Sequence, residues 1–92
     1  MSTDIHASIT VYGLVQGVGY RWFANRRAVQ LGLKGFVQNS YDGTVYIEVE
    51  GDRSLVEELI NHLKVGPRSA QVKDLRIDWS DPKNMFLGFS IR

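Results

Sequence analysis

The chain has 92 residues, of which 43% are hydrophobic and 23% are charged, and its formal net charge is +1. This length suits one domain with a single modest core, which we expect to span residues 1–92. A charge so close to neutral provides no strong attraction to nucleic acid or to an anionic membrane surface. Because the chain has no cysteine, disulfides, thiolate catalysis and cysteine-bound zinc are excluded.

Metal binding and membrane association are not indicated either. The two histidines, His6 and His62, are far apart and lack the spacing of metal ligands, so we expect no metal site and no cofactor. The first residues lack a basic region followed by an apolar stretch, which argues against a signal peptide. No apolar run approaches the ~20 residues that span a bilayer. We therefore expect a cytoplasmic protein that does not contact membranes.

The first third of the chain predicts a strand, a glycine-containing loop and a helix. Apolar and polar residues alternate over residues 5–11, as in a strand with one buried face. After the loop, residues 21–31 have helical spacing, with Ala24 and Ala28 on the face that we expect to lie close against a sheet. Gly32 is suited to cap the end of this helix.

The middle of the chain predicts a hairpin. Residues 34–40 and 44–50 read as its two strands, and Asp42 with Gly43 supplies the turn. We expect Glu48 and Glu50 to lie on the solvated face of the second of these strands.

A second helix and two further strands are predicted after the hairpin. Ser54 and Glu57 have the spacing of a capping box, and residues 66–67, Gly-Pro, end the helix. A strand follows over residues 70–79, with a slip of the alternation near Lys73 that suggests a bulge, and residues 86–91 read as a last strand. This order predicts an α+β fold in which two helices pack on one face of an antiparallel sheet, with a short extra C-terminal strand.

The loop between the first strand and the first helix has the features of an anion site. Gly17 and Gly19 allow unusual backbone angles and close approach to the backbone amides, which lie at a helix N-terminus. Arg21 adds a planar guanidinium that matches phosphate geometry. The spacing imitates a Cys-x5-Arg phosphate loop with Val15 at the cysteine position. The anion-binding groups are therefore present and the nucleophile is missing.

Asn39 is a second candidate, near the end of the second predicted strand. An amide is neither an acid nor a base near neutral pH, so in a reaction it could only orient a nucleophile through hydrogen bonds. The alternative is structural, because asparagine at a strand end often satisfies local backbone groups.

The two segments together closely resemble the acylphosphatases. Residues 13–21, Gly-Leu-Val-Gln-Gly-Val-Gly-Tyr-Arg, resemble the first signature of that family, and residues 35–45 resemble the second, with Gly51 at the expected distance. Residues 66–72 are similar to the segment after the second helix of the family. The predicted element order agrees with the family's ferredoxin-like fold. One departure is Tyr20, where members commonly carry phenylalanine or methionine, so its hydroxyl needs a partner.

The resemblance implies a hydrolase that cleaves the carboxyl-phosphate bond of a small-molecule acyl phosphate, using water without a metal or a covalent intermediate. It implies that Arg21 binds the phosphoryl group and that Asn39 positions the attacking water. Small members of the family are usually monomers, so we expect a monomer. The backbone amides expected to complete the phosphate site are those of Gln16, Gly17, Val18, Gly19, Tyr20 and Arg21.

The chemistry explains why so few groups can suffice. The leaving carboxylate has an acid form with a pKa of about 4, so it needs no general acid. Phosphoryl transfer then depends on positioning and charge stabilisation. Because no general base stands beside the motifs, we hypothesise that a phosphate oxygen of the substrate takes the proton of the water. Phosphate monoesters, which leave as alkoxides, are predicted to react weakly or not at all.

Other interpretations are weaker. Residues 34–36 begin like an RNA-recognition motif, but the later aromatic residues of that motif are missing and the chain is not basic. A non-catalytic anion sensor would not require Asn39. The acylphosphatase unit also occurs within larger proteins, but we expect a free-standing enzyme because no linker or second domain is evident. Trp22 and Phe23 lie on the first helix beside the loop, where one of them could line the site, but we expect both to be packing residues. Trp79 is expected to pack at the end of the fourth strand.

Overall fold

The structure is a computed structural model that describes residues 3–92, and it confirms the predicted α+β, ferredoxin-like order of elements. The predicted bounds shift by a few residues at most element ends. The last strand is shorter than predicted, because residues 85–88 form a loop and only three residues pair with the sheet. The elements are β1 (Asp4–Leu14), α1 (Tyr20–Gln30), β2 (Lys34–Asn39), β3 (Val45–Asp52), α2 (Arg53–Val65), β4 (Gln71–Ser80) and β5 (Phe89–Ile91).

The sheet is mixed rather than wholly antiparallel. Its strand order is β4-β1-β3-β2-β5, and every neighbouring pair is antiparallel except β2 and β5, which are parallel. The reason lies in the path of the chain. β4 runs opposite to β2, so a strand that starts at the end of the sheet where β4 stops must run in the direction of β2. The expectation of an antiparallel sheet was therefore wrong for its last strand only.

The hydrophobic core lies between one face of the sheet and the two helices. From β1, Ala7, Ile9 and Val11 are fully buried there, as their alternation predicted. The helix α1 contributes the small face carrying Ala24 and Ala28, which lets it lie close to the sheet. The α2 side chains in this core are Val56, Leu59, Ile60 and Leu63. Neither helix in the described part of the chain has the length and apolarity needed to cross a membrane.

The prediction for the start of α2 was wrong at the capping residue, whereas the prediction of a bulge in β4 was right. The helix begins at Arg53 with Asp52 as its N-cap, whose side chain accepts a hydrogen bond from the Ser54 N–H at 2.9 Å. Ser54 is therefore not the cap, and its hydroxyl instead donates to the same carboxylate at 2.5 Å. The bulge is confirmed, because the pairing of β1 with β4 shifts register so that Lys73 has no partner across the strands.

Part of the other face of the sheet, around His6, Phe36 and Glu50, is covered by residues 81–88, which connect β4 to β5. Beneath them His6 is fully buried, with Nδ1 2.6 Å from a Glu50 carboxylate oxygen and Nε2 2.9 Å from Glu48. Glu50 also accepts from the backbone N–H groups of Lys83, at 2.6 Å, and Asn84, at 3.1 Å. The expectation that Glu48 and Glu50 are solvated was wrong, since Glu50 is only 6% exposed and Glu48 is half-buried. Strand alternation identified this face correctly but could not reveal that a loop covers it.

Candidate active site

The loop between β1 and α1 leaves the start of the helix open. Gly19 is the N-cap of α1 in the left-handed conformation (φ 79°, ψ 16°), which glycine adopts without steric strain. Within residues 3–92 no side chain caps this helix, and its first turn carries no acidic residue. The amides of the first turn therefore keep their hydrogen-bonding capacity, and the positive end of the helix dipole is not neutralised.

Arg21 lies in that first turn and is held by the last residue of the chain. Its Nη1 donates a hydrogen bond to the backbone oxygen of Arg92 at 2.9 Å. Arg92 is fixed in turn, because its N–H donates to the Val37 carbonyl at 2.8 Å and its guanidinium lies 3.9 Å from the centre of the Phe36 ring. The guanidinium of Arg21 is thus oriented by a contact between residues 71 positions apart in sequence.

Asn39, the exposed last residue of β2, shares a cavity with Arg21. The cavity has a volume of about 210 Å³. Three other predicted residues of the loop, Gly17, Gly19 and Tyr20, also line the cavity. Gln16 and Val18 do not line it, and Val18 packs against the core. The residues that line the cavity are Val15, Gly17, Gly19, Tyr20, Arg21, Trp22, Asn39 and Ile91.

The lining offers a cation, amides and apolar side chains, but no carboxylate and no imidazole. Val15, at the position where a nucleophilic cysteine would stand in a Cys-x5-Arg loop, is 1% exposed and inert. In residues 3–92 no cluster of three or more histidine, aspartate or glutamate side chains is arranged to hold a metal ion. What the arrangement can do chemically is therefore to bind an anion and to orient a small polar molecule beside it.

The side chain of Gln16 has a role that sequence reasoning missed. Its Nε2 donates to the carbonyl oxygens of Ser40, at 2.6 Å, and Thr44, at 2.8 Å. These two residues flank the turn between β2 and β3, directly after Asn39. Gln16 therefore ties the anion-binding loop to the hairpin that carries Asn39. Only the backbone amide of Gln16 was predicted to matter, and nothing in the spacing indicated this bridge.

The Tyr20 hydroxyl finds its partner on α2. It donates to the carbonyl of Leu63 at 2.7 Å, and the ring is almost fully buried. In a helix the Leu63 carbonyl would accept from the N–H four residues later, but that residue is Pro67, which has none. Burial raises the pKa of Tyr20, so its hydroxyl stays protonated and able to donate. The hydroxyl of Tyr20, which a phenylalanine or methionine at this position would lack, thus satisfies the Leu63 carbonyl that Pro67 leaves without a helical donor.

The expectation of packing was wrong for Trp22 and Trp79, which are exposed, and for Trp22 the alternative that it lines the site is the one the structure shows. Trp22 is 59% exposed and lines the cavity, because it lies roughly 200° around α1 from the buried Ala24. Trp79 is 38% exposed, with the Arg53 guanidinium 4.7 Å from its ring centre. Phe23 is half-buried, beneath Arg27. The helical phase fixed by Ala24 could have placed Trp22 outside the core.

Comparisons with known proteins decide the family. The family model described as Acylphosphatase matches residues 7–91. The chain belongs to the acylphosphatase family. An acylphosphatase of Salinibacter ruber is 43% identical over 90 residues, which are 98% of this chain and 95% of that protein. The resemblance in residues 13–21 and 35–45 is thereby confirmed.

Solved structures of acylphosphatases agree with this assignment. The crystal structure of acylphosphatase from Bacillus subtilis superposes with a TM-score of 0.93 at 33% identity, covering 96% of this chain and 98% of that one. Full-length HypF, in a phosphate- and nucleotide-bound form, matches all of this chain with 12% of its own length, at 29% identity and a TM-score of 0.86. The acylphosphatase fold thus occurs both as a chain of this size and as a part of a much longer one.

Proposed function

We infer that Arg21 and Asn39 are the catalytic pair with which this acylphosphatase cleaves the carboxyl-phosphate bond of an acyl phosphate, giving a carboxylate and inorganic phosphate. The observation that carries the inference is their convergence. Both residues face one cavity of about 210 Å³, together with the open N-terminus of α1.

The phosphoryl group of the substrate binds in the loop before α1. Backbone amides of the loop, foremost those of Gly17, Gly19, Tyr20 and Arg21 that line the cavity, donate to its oxygens. The Arg21 guanidinium supplies a permanent positive charge. The hydrogen bond from Arg21 to the Arg92 backbone oxygen supports this role, because it orients the side chain before substrate arrives. These donors stabilise the charge that spreads over the phosphoryl oxygens in the transition state.

The Asn39 side chain orients the attacking water. Its amide can both donate to and accept from a water molecule, but it cannot remove a proton. The water oxygen attacks phosphorus in line with the departing carboxylate, forming a phosphorus–oxygen bond as the bond to the acyl oxygen breaks. The proton of the water passes to a phosphoryl oxygen of the substrate, since no carboxylate or imidazole lines the cavity.

The leaving group needs no assistance. A carboxylate is the conjugate base of an acid with a pKa of about 4, so it departs unprotonated at neutral pH. With the inert Val15 at the position of a loop nucleophile, the reaction proceeds without a covalent intermediate. The cavity lining has no carboxylate, imidazole or thiolate to hold a metal ion, so the proposed reaction uses none.

The experiment is hydrolysis of benzoyl phosphate by chelator-treated protein and by folded Arg21→Gln and Asn39→Ala variants. We expect kcat of each variant to be about a hundredfold or more below that of the wild type, as when one transition-state donor is removed. Competitive inhibition by inorganic phosphate separates the roles, because it should weaken in Arg21→Gln and persist in Asn39→Ala. Arg68→Gln and Asn61→Ala, at exposed positions, are the matched controls. An inactive, folded wild-type protein would overturn the proposal.

We further propose that residues 1–92 act as one monomeric domain in the cytoplasm, on small molecules and without nucleic acid. The net charge of +1 supports the last point, because nucleic-acid binding requires a cationic surface to neutralise phosphates. Light scattering at several concentrations tests the monomer, and cell fractionation tests the location.

A further inference from the structure

Two large apolar side chains stand at the cavity without a role in the mechanism. Trp22 of α1 and Ile91 of β5 both line it, and they are 59% and 42% exposed. Leaving such side chains in contact with water forgoes the stabilisation that burial would bring. They therefore form an apolar wall beside Arg21 that a ligand could cover.

The wall is held in place before any ligand binds. The guanidinium of Arg26 lies 5.0 Å from the centre of the Trp22 ring, a cation–π distance that restrains the indole. Ile91 is the last residue of β5 and is paired with Val37 of β2. A rigid aromatic surface loses little conformational freedom on binding, so its contacts translate efficiently into affinity.

The geometry of in-line displacement directs the acyl group away from Asn39. Water attacks from the side of Asn39, so the departing carboxylate must leave phosphorus on the opposite side. The phosphoryl oxygens are bound by the loop amides and by Arg21. The cavity-lining residues not assigned to the phosphoryl group or to the water include the apolar side chains of Trp22, Ile91 and the buried Val15, and these are available to contact the acyl group.

The size of the cavity supports the same conclusion. At about 210 Å³ it is smaller than the roughly 300–1,000 Å³ of typical small-molecule pockets. It can therefore enclose the phosphoryl group and only the first part of an acyl group. A longer or aromatic acyl group extends along the exposed indole of Trp22.

We propose that Trp22 and Ile91 form an acyl-group subsite that makes this enzyme prefer acyl phosphates with an apolar aliphatic or aromatic acyl group over those with a small or polar one. The proposal rests on the proposed function, because it assumes that the phosphoryl group binds at Arg21. Each methylene that the subsite buries raises kcat/KM by roughly fourfold. Because the subsite binds the ground state and the transition state alike, the effect falls on KM rather than on kcat.

The test compares acetyl, butyryl and benzoyl phosphate. The two aliphatic substrates have leaving groups of nearly equal basicity and differ by two methylenes, so their intrinsic reactivities match. For the wild-type enzyme we expect kcat/KM to be about ten times higher, or more, for butyryl than for acetyl phosphate. In Trp22→Ala this ratio should fall below about three, mainly through KM, and Trp22→Phe should restore most of it. Inhibition by inorganic phosphate, which has no acyl group, should shift less than twofold.

Trp79→Ala is the matched control, since it removes a partly exposed indole from β4, which does not line the cavity. A ratio near one in the wild type, or equal losses on both aliphatic substrates in Trp22→Ala, would overturn the proposed subsite while leaving the hydrolytic function intact. A folded wild-type enzyme that hydrolyses none of the three substrates would instead remove the proposed function. Circular dichroism establishes that each variant is folded.

Discussion

Glu50→Gln should weaken the attachment of residues 81–88 to the sheet. The Glu50 carboxylate accepts three hydrogen bonds, from the His6 ring at 2.6 Å, the Lys83 N–H at 2.6 Å and the Asn84 N–H at 3.1 Å. It is 6% exposed, so water cannot easily replace these donors. The substitution keeps the shape of the side chain, removes its charge and turns one of its two acceptor oxygens into a donor.

The magnitude follows from these contacts. A hydrogen bond to a charged group contributes about 1.5–3 kcal/mol. The amide of the Glu50→Gln variant can accept at one oxygen only, so we expect the free energy of unfolding to fall by about 3 kcal/mol. The total free energy of unfolding of a chain of this length is typically about 5–14 kcal/mol. At 4–8 °C for each kcal/mol, the midpoint of thermal unfolding should fall by roughly 12–24 °C.

Urea denaturation at pH 7, followed by tryptophan fluorescence and circular dichroism, measures this change. Glu58→Gln, at an exposed position of α2, is the matched control and should stay within about 0.5 kcal/mol of the wild type. If Glu50→Gln is equally close to the wild type, the three hydrogen bonds make no net contribution and the reasoning fails.

The same contacts predict a dependence on pH. Burial alone would raise the pKa of Glu50, but hydrogen bonds from the Lys83 N–H, from His6 and from the Asn84 N–H together lower it below its ordinary value of 4.5. A carboxyl whose pKa is lower in the folded state stabilises the protein above its unfolded pKa, and this stabilisation is lost as the pH falls through the folded one. The difference in stability between wild type and Glu50→Gln should therefore shrink below pH 4.5. Other carboxyls titrate in both proteins, so their contributions cancel in the difference.

Three further substitutions test other contacts. Gly35→Ala should destabilise the fold by more than about 3 kcal/mol in urea denaturation, because φ is 141° and a Cβ would lie 1.8 Å from the Glu48 carbonyl oxygen; a stable variant would contradict the strand pairing. Tyr20→Phe should cost about 1–2 kcal/mol by the same assay, since it leaves the buried Leu63 carbonyl without its donor, and no loss would mean that the hydrogen bond contributes nothing. Gln16→Ala should lower kcat for benzoyl phosphate by about tenfold to a hundredfold, because the loop is no longer tied to the hairpin, and a wild-type kcat would show that the bridge does not position the site.

Sequence reasoning succeeded where local periodicity carries the information. The alternation in residues 5–11 predicted which side chains of β1 enter the core, and the spacing of Ala24 and Ala28 predicted the buried face of α1. The break in alternation near Lys73 predicted the bulge. Each of these features depends on contacts that a strand or a helix repeats along its own length. The roles of Arg21 and Asn39 stay predictions that rest on the family resemblance and on the shared cavity.

The failures concern contacts between distant parts of the chain. Alternation placed Glu50 off the core face, but its burial depends on the path of residues 81–88, which no periodicity describes. The partner of Arg21 is a backbone oxygen, at Arg92, and a backbone oxygen leaves no mark on residue type. The bridge made by Gln16 likewise ends on two carbonyls. Side chains that bind backbone groups of remote segments are therefore the part of this site that a single sequence could not reveal.

The bulge in β4 affects how the protein behaves in concentrated solution. β4 is one edge of the sheet, and an edge strand exposes unpaired backbone groups to which another chain can add. Here the bulge at Lys73 interrupts the regular ladder, and exposed Asp74, Arg76 and Asp78 place charges along the rest of the strand. The opposite edge, β5, is only three residues long. Both edges of the sheet thus discourage edge-to-edge addition of further chains, and so fibril growth, while the protein is folded.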